Sequence, residues 1–240
     1  MRECLPEDLT FLDNYQQNAW EQIVWDSPER ITIQGLQPEA YMLKGLQEEI
    51  VELIEPDRDE PDYRRLGAII MHKDNEALQP GLVTPSAVTR HLKEFGDVSW
   101  YLANYLDCFN IPFERTAPVG ILSWQLDAAS KTRGTEDEHL ELQSVLPWVY
   151  LFGSSAQLSS AANEMVRTVQ GHVVRKPRDE RIRDEQELLV AAGRFVVSMM
   201  HVLSTRFNIT YEQVLMINKD KIEKRIKEGT VFDKPLGEDR

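Results

Sequence analysis

Apolar residues recur along this chain at steps of three and four, the period of helices that bury one face. Leu9, Leu12, Tyr15, Ala19 and Ile23 predict a first helix over Leu9 to Trp25, and Pro28 to Pro38 a break. Leu43, Leu46, Ile50, Leu53 and Ile54 line a second helix, Glu39 to Glu55, with Pro38 at its entry. Glu55 to Asp62 is too charged and proline-broken for anything but loop, and Leu66 to Leu82 fits a short helix or irregular cover. Thr84-Pro85-Ser86 opens a third helix, striped by Phe95, Val98, Leu102, Leu106 and Phe109 and ended by Asn110-Ile111-Pro112. A shorter helix spans Ile121 to Ala129, and Lys131 to Glu138 reads as a polar connector. Helices over Ser155 to Val173, Gln186 to Arg206 and Thr210 to Lys227 follow, with a charged loop from Arg175 to Asp184. The fold class expected is all-α.

The pattern repeats. Gly96-Asp97-Val98 to Phe109-Asn110-Ile111 resembles Gly193-Arg194-Phe195 to Phe207-Asn208-Ile209 with one residue inserted. Glu49-Ile50-Val51-Glu52 aligns with Glu164-Met165-Val166-Arg167. The reading is an internal duplication of a helical hairpin, residues 1–134 and 135–240, forming together one compact domain. The second copy has exchanged its acids: Arg194 stands for Asp97, Ala191 for Glu94 and Arg167 for Glu52.

Glu49 and Glu52, like Glu94 and Asp97, lie three apart, so each pair projects from one helix face. Two such helices side by side gather four carboxylates, which repel unless a cation or shared protons intervene. An all-oxygen set suits Mg2+, or Mn2+, rather than zinc. The competing reading is a pair of solvated acidic faces. Ile50 and Leu53 beside one pair, and Phe95 and Val98 beside the other, put the acids at the edge of the buried stripe, where bare charge is costly.

Composition adds limits. The 240 residues suffice for one good-sized domain or two small ones, and 42% hydrophobic and 28% charged is the composition of an ordinary soluble protein. A net charge of −13 speaks against nucleic-acid polymers and anionic membranes as partners, though not against a small phosphorylated substrate at a metal. Cys4 and Cys108, and the five histidines, lack metal-ligand spacing. His91 and His201 read as packed or exposed rather than catalytic. No leader or stretch approaching a membrane span is evident, so a cytoplasmic location is expected.

Glu48-Glu49-x-x-Glu52 followed by Glu94-x-x-Asp97 resembles the signature of the MazG-type all-α nucleoside triphosphate pyrophosphohydrolases. Leu9 to Gln16 with Ala19 is similar to that family's first helix. Asn218-x-x-Lys221-x-x-x-Arg225, with Gly229 and Phe232, is similar to its last segment. The resemblance implies a MazG-like bundle and a Mg2+-dependent enzyme cleaving (d)NTPs between the α- and β-phosphates, giving (d)NMP and pyrophosphate, as nucleotide-pool house-cleaning. Glu49, Glu52, Glu94 and Asp97 would hold the metal, lowering the pKa of an attacking water. Glu48 would orient or deprotonate that water, or else is a solvated helix residue. Asn218, Lys221 and Arg225 would bind phosphates, or else Lys221 and Arg225 decorate a helix C-terminus, with Lys44, Arg167 and Arg194 as lesser candidates. Tyr15, Gln16, Trp20 and Trp25 would meet the base, or else are core residues, the commoner place of aromatics at helical spacing. Two departures stand out: the long Glu52–Glu94 connection, and a basic segment that follows the second copy. The latter suggests one composite site per chain, in a monomer with a tandem core or a homodimer. A dUTP- or phosphoribosyl-ATP-type pyrophosphohydrolase and a non-catalytic nucleotide-binding regulator are the alternatives.

Overall fold

The computed structural model describes residues 9–23, 32–33, 35–54, 85–131, 136–169 and 177–228. These form seven α-helices: α1 (Thr10–Glu21), α2 (Pro38–Ile54), α3 (Pro85–Asp107), α4 (Thr116–Lys131), α5 (Glu136–Val169), α6 (Arg178–Val202) and α7 (Tyr211–Glu228). A 3-10 turn, Phe113–Arg115, precedes α4, and a π-helical turn, Leu203–Phe207, extends α6. No strand occurs among the described residues, only an isolated bridge between Ile33 and Leu36. The all-α class is therefore correct. Trp25, the expected loop from Glu55, the segment Leu66 to Leu82, and Gly229 and Phe232 lie outside the described residues.

Three helices start earlier than the apolar periodicity suggests: α4, at Thr116 directly after the 3-10 turn, and more markedly α5 and α6. The acidic run Glu136-Asp137-Glu138 opens α5 instead of connecting elements, and α6 begins at Arg178 within the expected charged loop. Carboxylates in a first turn offset the positive end of the helix dipole, so Asp179 and Glu180 after Pro177 favour helix entry where charge density alone suggests loop.

The packing has a reciprocal plan. Helices α2 and α3 pair closely, as do α5 and α6. The helix that follows each pair crosses to the other one: α4 packs chiefly along α6, while α7 packs against α3 and α1. Tyr105 Oη donates to the carbonyl of Ala162 at 2.7 Å, tying α3 to α5. Glycines set the closest approaches. The Tyr101 ring lies where a side chain at Gly45 would stand, and a Cβ at Gly96 would come within 2.6 Å of the Asn218 Cβ. Gly193 and Gly120 let α6 and α4 meet backbone to backbone.

The two Phe-Asn-Ile stretches also share a conformation. Asn110 and Asn208 have φ of 55° and 51°, and are the non-glycine residues of positive φ among those described. Each ends its helix in the left-handed region, which asparagine tolerates better than other side-chain-bearing residues. The extra residue of the second stretch is absorbed in the π turn: the amide of Ile111 reaches the Leu106 carbonyl, whereas that of Ile209 reaches back one residue further, to Leu203. Asn110→Gly is expected to be neutral or stabilising by up to ~1 kcal/mol, and Asn110→Val to cost about 1–2 kcal/mol, in urea unfolding. Equal losses in both variants would mean that the side chain, not the backbone, matters.

Helix α6 and its extension, Arg178–Thr205, are long and apolar enough to cross a membrane by length and composition, contrary to the sequence-based expectation. Its apolar window is 61% buried inside the fold. Phe195, Val196, Met199 and Val202 are fully buried, which accounts for the hydropathy as that of a core helix.

Candidate active site

Antiparallel packing of α2 on α3 brings Glu49, Glu94 and Asp97 together. One carboxylate oxygen from each lies within 4.8 Å of the others, and all three residues are half-buried. Glu52 is exposed and stands outside this trio, yet its charge is felt by both Glu49 and Glu94. The carboxyl of Glu49 is pushed up to about 9, first by burial and then by repulsion from Asp97, Glu52 and Glu94. Glu94 is pushed up to about 7 by burial, Asp97 and Glu52, with Lys221 and Lys93 opposing. Held this close to other acids, the Glu49 and Glu94 carboxyls keep protons that water would otherwise strip from them.

Asp97 is the best-held member. Asn218 Nδ2 donates to its Oδ1 at 2.6 Å, and Lys221 Nζ forms an ion pair with its Oδ2. Both donors come from one face of α7, so the basic segment joins acids far away in the chain. Tyr15 Oη donates to Asn218 Oδ1 at 2.8 Å, which fixes which end of the Asn218 amide faces Asp97. The Ser99 and Tyr211 hydroxyls, 2.7 Å apart, set the register of α7 on α3 from the other side. Absence of a side chain at Gly96 lets Asn218 sit directly on the helix.

The remaining sequence candidates divide. Tyr15 and Asn218 are buried, at 6% and 1% exposure, and act on each other and on Asp97 rather than facing open space. Gln16 is a structural tie: its Nε2 donates to the carbonyls of Ala103 and Ile111, and its Oε1 accepts from the Phe113 amide at 2.8 Å. Those partners lie at the C-terminal end of α3, away from the acids. Lys44 is exposed and 3.8 Å from Glu48 Oε1. Glu48 Oε2, by contrast, is buried and finds no hydrogen-bond partner among the described residues. An inward acceptor left so is costly unless water or a ligand supplies the donor. Arg225 lies one turn beyond Lys221, half-buried. Trp20 packs against the core, and the Trp100 indole, 3.3 Å from Gln22 Oε1, flanks the same helix.

Arg167 and Arg194 do not join the acids. Arg194 Nε donates to Ser123 Oγ at 2.6 Å and its Nη1 to Gln157 Oε1 at 3.2 Å, between α4, α5 and α6. Arg167 is exposed and pairs with Glu164 at 3.7 Å. His91 is buried against Phe95 and Phe207, at ring distances of 5.5 and 5.7 Å, and burial lowers it to about 4, so it is neutral. His201 lies half-buried near the C-terminus of α6. The sequence reading did not assign Ser99 or Tyr211, since nothing in their spacing announces that they meet.

The raised carboxylates have a consequence for stability. Between the ordinary carboxylate range and about 9, the unfolded chain has released the Glu49 proton while the fold retains it. The folded state then binds more protons, so stability falls as pH rises. Without divalent metal, stability is expected to decline from pH 6 to pH 9. Glu49→Gln should flatten that decline and stabilise the metal-free protein by about 2 kcal/mol at pH 8. Urea unfolding in EDTA at several pH values measures this; a stability that climbs over the same range would contradict it.

Comparison with models of known protein families, with curated proteins and with solved structures returns no match.

Proposed function

We propose that this protein is a Mg2+-dependent nucleotide pyrophosphohydrolase of the MazG-like kind, built on an internally duplicated helical hairpin. The observation that carries the reading is the convergence of Glu49, Glu94 and Asp97 with Asn218 and Lys221, residues from three helices and both ends of the chain. Oxygen-only donors, crowded and proton-hungry, fit magnesium or manganese. The duplication draws support from the matched Phe-Asn-Ile turns and the crossed packing of α4 and α7.

Glu49, Glu94 and Asp97 would hold the ion, with Glu52 extending the negative field towards solvent. The bound cation would neutralise triphosphate charge and acidify an attacking water. Glu48, whose Oε2 has no hydrogen-bond partner among the described residues, would orient that water and take its proton. Lys221, which rests on Asp97, would turn to the phosphates of a bound nucleotide, and Arg225, on the next turn, would extend the cationic face. Asn218 would position Asp97, with Tyr15 holding Asn218.

The Lys221–Asp97 pair also favours a second reading, a nucleotide-binding regulator whose acids are neutralised by lysine. Turnover separates the two. A panel of deoxy- and ribonucleoside triphosphates, each with and without Mg2+, is expected to release pyrophosphate and nucleoside monophosphate only with metal. Binding without turnover across the panel would leave the regulatory reading in its place.

A further inference from the structure

The hydroxyls of Ser99, on α3, and Tyr211, the first residue of α7, meet in the core at 2.7 Å, and both residues are buried. Ser99 Oγ also donates to the Phe95 carbonyl at 2.6 Å. A serine hydroxyl has one hydrogen to give, so Tyr211 is the donor of the pair. The bonds therefore run from Tyr211 through Ser99 to a backbone carbonyl between Glu94 and Asp97. Tyr15 Oη lies 3.4 Å from the next carbonyl, that of Gly96. The turn of α3 that carries two of the acids is thus held through its carbonyls by hydroxyls.

Packing alone does not call for the Ser99–Tyr211 pair. Val196 stands as far after Gly193 as Ser99 after Gly96, and Phe113 as far after Asn110 as Tyr211 after Asn208. By the same intervals Gly120 answers to Asn218. Gly193 meets Gly120 as Gly96 meets Asn218, so the correspondence holds in three dimensions at that crossing. Val196 and Phe113 are fully buried, and neither carries a hydroxyl. The crossing of α4 on α6 serves no acid cluster, and there the two positions are apolar.

What the hydroxyls add is direction. Exchanging both partners of a buried hydrogen bond for apolar groups is close to neutral in stability. A hydrogen bond, however, fixes a distance and an angle, where apolar side chains let one helix slide along another. Asn218 and Lys221 lie further along α7, and both reach Asp97. A slide of α7 would part them from it.

We propose that Tyr211 is a positioning residue of the acid cluster, acting through Ser99 to hold α7 at the height where Asn218 and Lys221 meet Asp97. Its effect on turnover rests on the function proposed above; its hold on Asn218 does not.

The test compares wild type with Tyr211→Phe and with the double variant Ser99→Val, Tyr211→Phe, which copies the crossing of α4 on α6. Three quantities are read: thermal melting, magnesium-dependent pyrophosphate release, and the NMR shift of the Asn218 side-chain amide in EDTA. Asp97→Ala marks the shift of that amide with its bond to Asp97 gone. The double variant is expected to melt like wild type, yet to lose about tenfold or more in kcat. Its Asn218 amide should move towards the Asp97→Ala position. Turnover that returns to the wild-type value with stability in the double variant would reduce the pair to packing and overturn the proposal. So would an Asn218 amide unmoved in both variants. Tyr211→Phe, which removes one oxygen and keeps the ring, gives the same two readings if the double variant folds poorly. An inert wild type counts against the proposed function instead, and the amide shift still decides the role of Tyr211.

Discussion

Asp97→Asn is expected to reduce magnesium-dependent pyrophosphate release by about a thousandfold while leaving the helical content intact. Asp97 offers an oxygen to the trio and also accepts from Asn218 and Lys221. An amide keeps one acceptor for Asn218 but turns an N–H2 towards the Lys221 ammonium. Metal affinity and the placement of Lys221 therefore fail together. Lys221→Met separates the two contributions. Removing the ammonium frees the carboxylate, so Mg2+ should bind more tightly, while turnover falls by about 10–100-fold if the lysine moves to phosphate. Steady-state kinetics over a magnesium series checks both. Wild-type turnover in Asp97→Asn would place the chemistry elsewhere.

Gly193→Val is expected to cost about 4 kcal/mol or more, enough to leave little folded protein. A Cβ there meets backbone on every side: the Thr116 carbonyl oxygen, and the Gly120 amide nitrogen at 2.7 Å. None of these is the end of a flexible side chain, so α4 must part from α6, uncovering Ala192, Val196 and Val197. Gly153→Ala, with open space around its site, is the control and should be stabilising by a few tenths of a kcal/mol or more. Thermal unfolding followed by circular dichroism compares the pair. A Gly193→Val protein that melts like wild type would mean that α4 does not pack as described.

The legible part of the site is the part written in helical spacing. Glu49 with Glu52, and Glu94 with Asp97, declare shared faces, and the apolar residues beside them declare which faces turn inward. The structure brings three of the four together and leaves Glu52 at the rim, a difference of side-chain reach that spacing does not carry. Asn218 and Lys221 were joined to the acids only through resemblance. What brings them there is the crossing of α7 onto α3, and no local pattern encodes which hairpin a following helix covers. Gly96 is the one local mark of it, and becomes readable as such once Asn218 is seen against it. Gln16 shows the converse. A polar side chain beside Tyr15 looks equipped for a ligand, but its amide serves backbone groups exposed where α3 ends. The helix start at Arg178 is obscured because Asp179 and Glu180 look like loop by hydropathy and like helix entry by electrostatics. The fold resolves that competition in favour of the dipole.

Burial and mutual repulsion raise the Glu49 and Glu94 carboxyls to about 9 and about 7, a costly arrangement with no structural benefit of its own.

The central claim is that Glu49, Glu94 and Asp97 form a divalent-metal site. Calorimetric titration of Mn2+ at pH 7.5, with a nucleotide analogue bridged by carbon between its α- and β-phosphates present, tests it most directly (the pH is about that of the cell). Two buffers of different ionisation enthalpy should be used. The account predicts metal binding with release of roughly one proton, because the raised Glu49 carboxyl must ionise to ligate. Binding and proton release should both be lost in Glu49→Gln. Metal binding of equal strength in that variant, or none in the wild type, would contradict it.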